Sequence, residues 1–244
     1  MDRWNNKIAV VTGASSGIGE ALAKALMKKN IKVVGLARRI EKMKINFNKE
    51  QGVFYPIKCD LSKEDEIINV FQWIEKNLKS IHILVNNAGI ISENLCIEST
   101  TEHIKRTIDV NLIAPTICTR EAVKIMRKNN VAGHIININS ILGQNILFFN
   151  NTAFDMYSPS KFALKAMSQV VELELEHVKN KTKITTIYPG LVKTELPPQE
   201  SFNVLPYLNA EDVCDSIIHI LSTPPHVQIK ELTIVPLSSS ILLR

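Results

Sequence analysis

The chain is most constrained by its rhythm. Short apolar, β-branched runs alternate with longer segments whose apolar residues recur at helical spacing. Runs at 8–11, 31–36, 53–57, 81–85, 134–138, 184–188 and 232–235 read as strands. Helical spacing covers 17–29, 101–112, 115–130 with Pro115 in its first turn, 155–179 and 210–222. A further amphipathic helix carries Ile67, Ile68, Phe71, Trp73, Ile74 and Leu78 on or near its apolar face. Strand–helix alternation implies right-handed parallel crossovers. The expected fold is α/β, a single-domain doubly wound parallel sheet of the Rossmann type with helices on both faces. No linker, low-complexity tract or repeat divides residues 1–244, so one domain is expected.

Composition narrows the partners. Hydrophobic residues make up 45% of the chain, enough for a large core. The net charge of +5 comes from scattered Lys and Arg, with no basic block interleaved with aromatics, so no nucleic-acid partner is expected. Cys59, Cys96, Cys118 and Cys214 are far apart and form no CxxC pair, which fits a reducing compartment and neither a disulfide framework nor a metal site. Residues 1–7 hold no apolar signal core, and no run of about 18 apolar residues could span a membrane. A cytoplasmic location is expected. The triplets Asn150-Asn151-Thr152 and Asn180-Lys181-Thr182 read as chance matches to a glycosylation pattern.

Between the first strand and first helix lies Thr12-Gly13-Ala14-Ser15-Ser16-Gly17-Ile18-Gly19. Its glycines permit a tight turn, let backbone approach a pyrophosphate and let helix pack on strand. The helix start then offers free N–H groups and a positive dipole end to phosphates. The spacing is GxxxGxG. Many strand–helix turns use glycine with no ligand, so the position after the first strand carries the reading. The second strand ends in Gly35-Leu36-Ala37-Arg38-Arg39, where Asp or Glu would meet a ribose 2′-hydroxyl. Two cations stand there instead, and a guanidinium fork suits a phosphate. The expected cofactor is therefore NADP, with Arg38 on the 2′-phosphate. Arg39 is either beside it or simply solvated at a helix start.

Tyr157 and Lys161 are four apart on an expected helix and share a face. An adjacent ammonium favours phenolate and is expected to lower the phenol's pKa from near 10. Such a tyrosine can protonate a carbonyl oxygen or deprotonate an alcohol. Ser140 ends the fifth strand, where open α/β sheets bind ligands. Asn111 lies in Asp109-Val110-Asn111, and Asn86-Asn87-Ala88-Gly89 ends the fourth strand. Each alone also reads as a polar cap or turn.

Together these residues resemble the short-chain dehydrogenase/reductase family, from Lys7 to about Val235. The resemblance is carried by the 12–19 turn, Asp60, the NNAG at 86–89, Asn111, Ser140, the Tyr157/Lys161 pair and Pro189-Gly190. It implies that Tyr157 is the acid–base, that Lys161 lowers its pKa and holds the nicotinamide ribose, that Ser140 orients the substrate oxygen, and that Asn111 supports a water relay to Lys161. It implies cofactor contacts from Gly13, Ser15, Ser16, Gly17, Ile18 and Gly19; from Arg38 and Arg39; from Asp60 and Leu61 near the adenine; and from Asn87, Ala88 and Gly89 near the adenosine ribose. Tyr157 and Lys161, with Pro189, Gly190, Val192 and Thr194, would complete the cofactor contacts. Ser140 and Tyr157 are seventeen apart where the family more often has thirteen, which leaves the path of 143–156 open.

Closer in, Met1-Asp2-Arg3-Trp4 and the stretches 118–122, 133–140 and 221–224 are similar to the branch that holds insect farnesol dehydrogenases and the mammalian dehydrogenase/reductase member eleven, a keto-steroid and carbonyl reductase. That implies a cytosolic, NADP-dependent enzyme forming a homodimer or homotetramer. Two apolar loops flank the expected site: Ile146, Leu147, Phe148, Phe149 and Phe154 in one, and Leu196, Phe202, Val204, Leu205 and Tyr207 in the other. They suit either a lipophilic substrate enclosed by movable loops or a contact between subunits. The expected activity is interconversion of a lipophilic alcohol, such as farnesol or a related terpenoid, with its aldehyde or ketone. The alternatives are a keto-steroid or carbonyl reductase, and a non-catalytic NADP-binding regulator on the same fold.

Overall fold

Seven strands form one sheet: β1 (Ile8–Thr12), β2 (Lys32–Ala37), β3 (Phe54–Lys58), β4 (Ile83–Asn86), β5 (His134–Ile138), β6 (Lys183–Pro189) and β7 (Glu231–Ile234). They pair in the order β3-β2-β1-β4-β5-β6-β7, every pair parallel. The computed structural model describes residues 1–91, 94–148 and 153–237. The helices are α1 (Gly17–Lys28), α2 (Ile40–Phe47), α3 (Glu64–Leu78), α4 (Thr101–Ile108), α5 (Ala114–Lys128), α6 (Tyr157–His177) and α7 (Ala210–Ser222).

Period-two alternation divides each strand between two cores. Ala9 and Val11 join Leu22, Leu26, Val33 and Ile217 on one face, where α1 packs with α7. Ile8 and Val10 join Val34, Ile67, Phe71 and Ala122 on the other, where α3 packs with α5. Each fully buried Leu or Ile there contributes about 1.5–3 kcal/mol of transfer free energy. Strand order reverses between β1 and β4, which opens a crevice at the carboxyl ends of those strands.

Several boundaries differ from the sequence reading. α2 escaped the periodicity because it buries only Met43 and Phe47. Phe47 stacks on Phe54 with centroids 3.7 Å apart. Pro56 is tolerated inside β3 because β3 is an edge strand. The helix expected from 155 begins at Tyr157, since Phe154 and Asp155 adopt positive φ (63° and 48°) and cannot continue a right-handed helix. The helices expected at 101–112 and 115–130 are joined by a π-helical turn, Asp109–Ile113. Two of the stretches that carried the branch resemblance meet in space: Trp4 Nε1 donates to the Leu221 carbonyl at 2.8 Å. The Asn180 triplet makes its own turn, with Thr182 N donating to Asn180 Oδ1 at 2.7 Å. The Asn150 triplet lies outside the described residues. Among the described residues, no helix is long and apolar enough to cross a membrane.

Candidate active site

One cleft of about 470 Å³ opens at the carboxyl ends of β1, β2, β4, β5 and β6. At its first end the β1–α1 turn is stitched to the loop after β4. Thr12 Oγ1 accepts from the backbone N–H of Asn87 (2.9 Å) and Ala88 (3.0 Å), and Asn87 Nδ2 donates to the Thr12 carbonyl at 2.8 Å. The approach is too close for a side chain. A Cβ on Gly19 would lie 2.4 Å from the Gly13 carbonyl oxygen, and Gly13 itself holds φ +70°. The N-cap of α1, Ser16, makes no side-chain cap bond, so the N–H groups of the first helical turn remain free for an anion. Arg38 and Arg39 follow β2 at the same rim, Arg39 as the N-cap of α2. Burial works to raise the Asp60 carboxyl, but hydrogen bonds from Ser62 and the charge of Arg38 outweigh it and hold it below the usual carboxylate range.

At the second end, Ser140 (9% exposed), Tyr157 (6%) and Lys161 (3%) face one another. Asn139 brackets them. Its Oδ1 accepts from Ser140 N at 2.9 Å and its Nδ2 donates to the Lys161 carbonyl at 3.0 Å. A Cβ on Gly143 would fall 2.4 Å from Asn139 Oδ1, so glycine is required for this bracket to close. Ser140 Oγ accepts from Leu142 N at 3.1 Å, which leaves its hydroxyl hydrogen for another oxygen. The Lys161 ammonium donates to the Ile138 carbonyl at 2.9 Å. Asp155, two residues before Tyr157, is buried; it accepts from the Ser99 hydroxyl and has His103 Nε2 at 3.7 Å.

The pKa shifts correct one expectation. Burial pushes the Tyr157 phenol up to about 12, and a hydrogen bond with Ser140 only partly opposes it. Lys161 Nζ is 5.5 Å from the centre of the Tyr157 ring, and its charge is not among the causes of the shift. Burial also pulls the Lys161 amine down to about 8. Desolvation sets both directions, because the two groups are buried in the same wall.

The profile of the short chain dehydrogenase family matches residues 7–202. The chain belongs to the short-chain dehydrogenase/reductase family. It is 39% identical to a farnesol dehydrogenase from Aedes aegypti, over 97% of this chain and 98% of that one. It is 36% identical to the human dehydrogenase/reductase SDR family member 11, over 97% and 96%. Among solved structures it is similar to a metagenomic short-chain oxidoreductase in complex with NADP (27% identity, 95% and 98% coverage, TM-score 0.82). It is also similar to a 4-hydroxyisoleucine dehydrogenase complexed with NADH (26% identity, 96% and 99% coverage, TM-score 0.85).

Short-chain dehydrogenases use a nicotinamide cofactor, and the donor set here fits one: free helix N–H groups, two rim arginines, and a buried lysine at the far end. Every site residue singled out in the sequence lines the cleft except Gly19 and Asn111. Gly19 stands behind the turn it permits. Asn111 sits in the π-helical turn and grips the loop after β4: its Oδ1 accepts from Ile90 N, its Nδ2 donates to the Ile90 carbonyl, both at 2.9 Å, and Nδ2 also reaches Ser160 Oγ at 3.1 Å.

The apolar loops divide. Leu147, Phe154, Leu196 and Leu205 line the cleft. Ile146 and Phe148 do not; they are 60% and 72% exposed. Val204 is exposed, Phe202 packs edge-on against Tyr207, and Phe149 lies outside the described residues. The sequence reading missed Asn139, Lys42 and Glu195, and also Arg106 of α4, which lines the cleft. Lys42 follows Arg39 at helical spacing, which was the available signal. Nothing in the chain pointed Glu195 towards Arg39, 156 positions earlier.

Proposed function

We propose that this chain is an NADP-dependent oxidoreductase that interconverts a lipophilic alcohol, foremost a terpenoid alcohol of the farnesol type, with its aldehyde or ketone. One observation carries the reading. A single cleft has Arg38 and Arg39 at one end and, at the other, a buried Tyr157 and Ser140 among Ile90, Ile141, Leu142, Leu147, Phe154 and Leu205. The relative named farnesol dehydrogenase supports the substrate, and Arg38 and Arg39 support NADP.

The bound nicotinamide supplies or accepts the hydride. Tyr157 Oη gives a proton to the carbonyl oxygen during reduction and takes one from the hydroxyl during oxidation. Ser140 Oγ keeps its hydrogen for the substrate oxygen or for the developing phenolate. Lys161 holds positive charge beside the same atoms, and Asn111 fixes the Ile90 backbone that walls the pocket. A second reading, reduction of a bulky ketone such as a keto-steroid, is supported by the same apolar lining, which suits a rigid apolar substrate as well as a flexible one.

Four free thiols fit a cytoplasmic chain, and α6 exposes Phe162, Val170 and Leu173, which fits a homodimer or homotetramer. The test mixes the purified chain with NADP and farnesol and follows reduced-cofactor absorbance, with NAD and a steroid alcohol in parallel. Turnover with farnesol and NADP is expected. Turnover only with the steroid moves the substrate. No turnover in either direction, with NADP still binding, overturns the enzyme reading in favour of a cofactor-binding regulator.

A further inference from the structure

The phosphate end of the cleft already holds an anion of the chain's own. Glu195 lies in the loop after β6, beside Thr194. Its Oε2 accepts from Arg39 Nη1 at 2.8 Å and its Oε1 from Lys42 Nζ at 2.5 Å. One carboxylate is thus spread over two cations, each oxygen with its own partner. The same guanidinium runs on into the phosphate turn, with Nη2 donating to Ser16 Oγ at 2.7 Å and Nε to Ser15 Oγ at 3.3 Å. Among the described residues, Arg39 and Lys42 have no other carboxylate, and Glu195 no other cation. The bonds from Lys42 and Arg39 hold the Glu195 carboxyl at about 2, so it is ionised at any working pH.

A carboxylate and a phosphate monoester ask the same of these cations: anionic oxygens met by charged N–H donors. We propose that Glu195 is an internal counter-anion occupying the Arg39–Lys42 fork that receives the cofactor's 2′-phosphate, so that it sets how strongly the chain prefers NADP over NAD. Lys42 becomes the third cation that reads the phosphate. The inference rests on the NADP reading above. The fork cannot saturate both anions without bringing like charges into contact, so an arriving phosphate exchanges with Glu195. A 2′-hydroxyl carries no charge and leaves Glu195 in place. NADP therefore binds against an ion pair that NAD does not break.

The groups are exposed, Arg39 by 51% and Glu195 by 54%, so each pair is screened. The effect to expect is about two- to tenfold in affinity, largest at low salt. The experiment titrates wild type, Glu195→Gln and Lys42→Met with NADP and NAD, reading intrinsic tryptophan fluorescence or heat. Glu195→Gln should lower the Kd for NADP and leave that for NAD unchanged, with the gain shrinking in high salt. Lys42→Met should raise the Kd for NADP alone. If Glu195→Gln weakens both cofactors alike, Glu195 is only a strap across the cleft and the inference falls. An NADP preference untouched by either variant overturns the inference alone. A wild-type chain that prefers NAD overturns the NADP reading and the inference with it.

Discussion

Replacing Lys161 with methionine should end turnover and, at the same time, make the chain's stability respond differently to pH. Lys161 is 3% exposed, and its ammonium has a carbonyl, not a carboxylate, for a partner. Burial lowers its pKa from 10.5 to about 8. In the unfolded chain the amine returns to its ordinary value. Because the folded value is depressed, the penalty is present in full below about pH 8. It shrinks as pH rises from there and is gone above 10.5. The gap corresponds to about 3 kcal/mol at neutral pH. Between pH 7 and pH 10 the wild type should recover about 2–3 kcal/mol that the methionine variant, with no charge to lose, does not. Methionine has similar length and packs adaptably. The Ile138 carbonyl loses its donor in the variant, at ~1–3 kcal/mol, but that loss does not vary with pH. Thermal unfolding of both proteins at the two pH values reads the effect. At roughly 2–4 °C per kcal/mol for a chain this size, the difference between their Tm values should shift by about 5–10 °C. A difference that stays constant with pH would refute the buried, depressed ammonium.

Three further outcomes are expected. Tyr157→Phe removes the proton donor and should lower kcat by about 10²–10⁴-fold while the Kd for NADP, measured by titration, stays the same; undiminished turnover would remove Tyr157 from the chemistry. Asn139→Ala breaks the bracket between Ser140 N and the Lys161 carbonyl and should cost ~1–3 kcal/mol in denaturant unfolding, with a fall in kcat as Ser140 shifts; unchanged stability and kcat would show that the bracket holds nothing. Leu147→Asn puts an amide into the apolar wall and should raise KM for long-chain alcohols without changing cofactor affinity; an unmoved KM would place the substrate elsewhere.

The fold was legible because parallel strands buried on both faces leave runs such as Ile8–Val11 and Ile83–Val85 that only an α/β sheet explains. The glycine turn and the Tyr157/Lys161 spacing were legible as local patterns, and the structure brings both to one cleft. What was not legible came from long-range packing. The phenol and the amine both lose water in the same wall, so the sign of the Tyr157 shift depends on burial that spacing cannot express. Ile146 and Phe148 are as apolar as Leu147, but only the fold decides which of the three turns inward. Asn139 and Glu195 act across chain separations of 22 and 156 residues, where no periodicity reaches.

The π-helical turn at Asp109–Ile113 has a consequence for how such a chain tolerates change in length. A π turn holds one residue more than the α turn it replaces. Deleting a single residue there would let α4 and α5 fuse into one unbroken rod, with its backbone bonds regular. Because the extra residue is absorbed within that turn, α4 and α5 would keep their places, α5 seated on the sheet through Ile117, Ala122 and Met126. What changes is the bulge itself, where Asn111 bonds both backbone groups of Ile90. The loss of one codon would then yield a well-folded protein whose loop after β4 has lost the side chain that grips it.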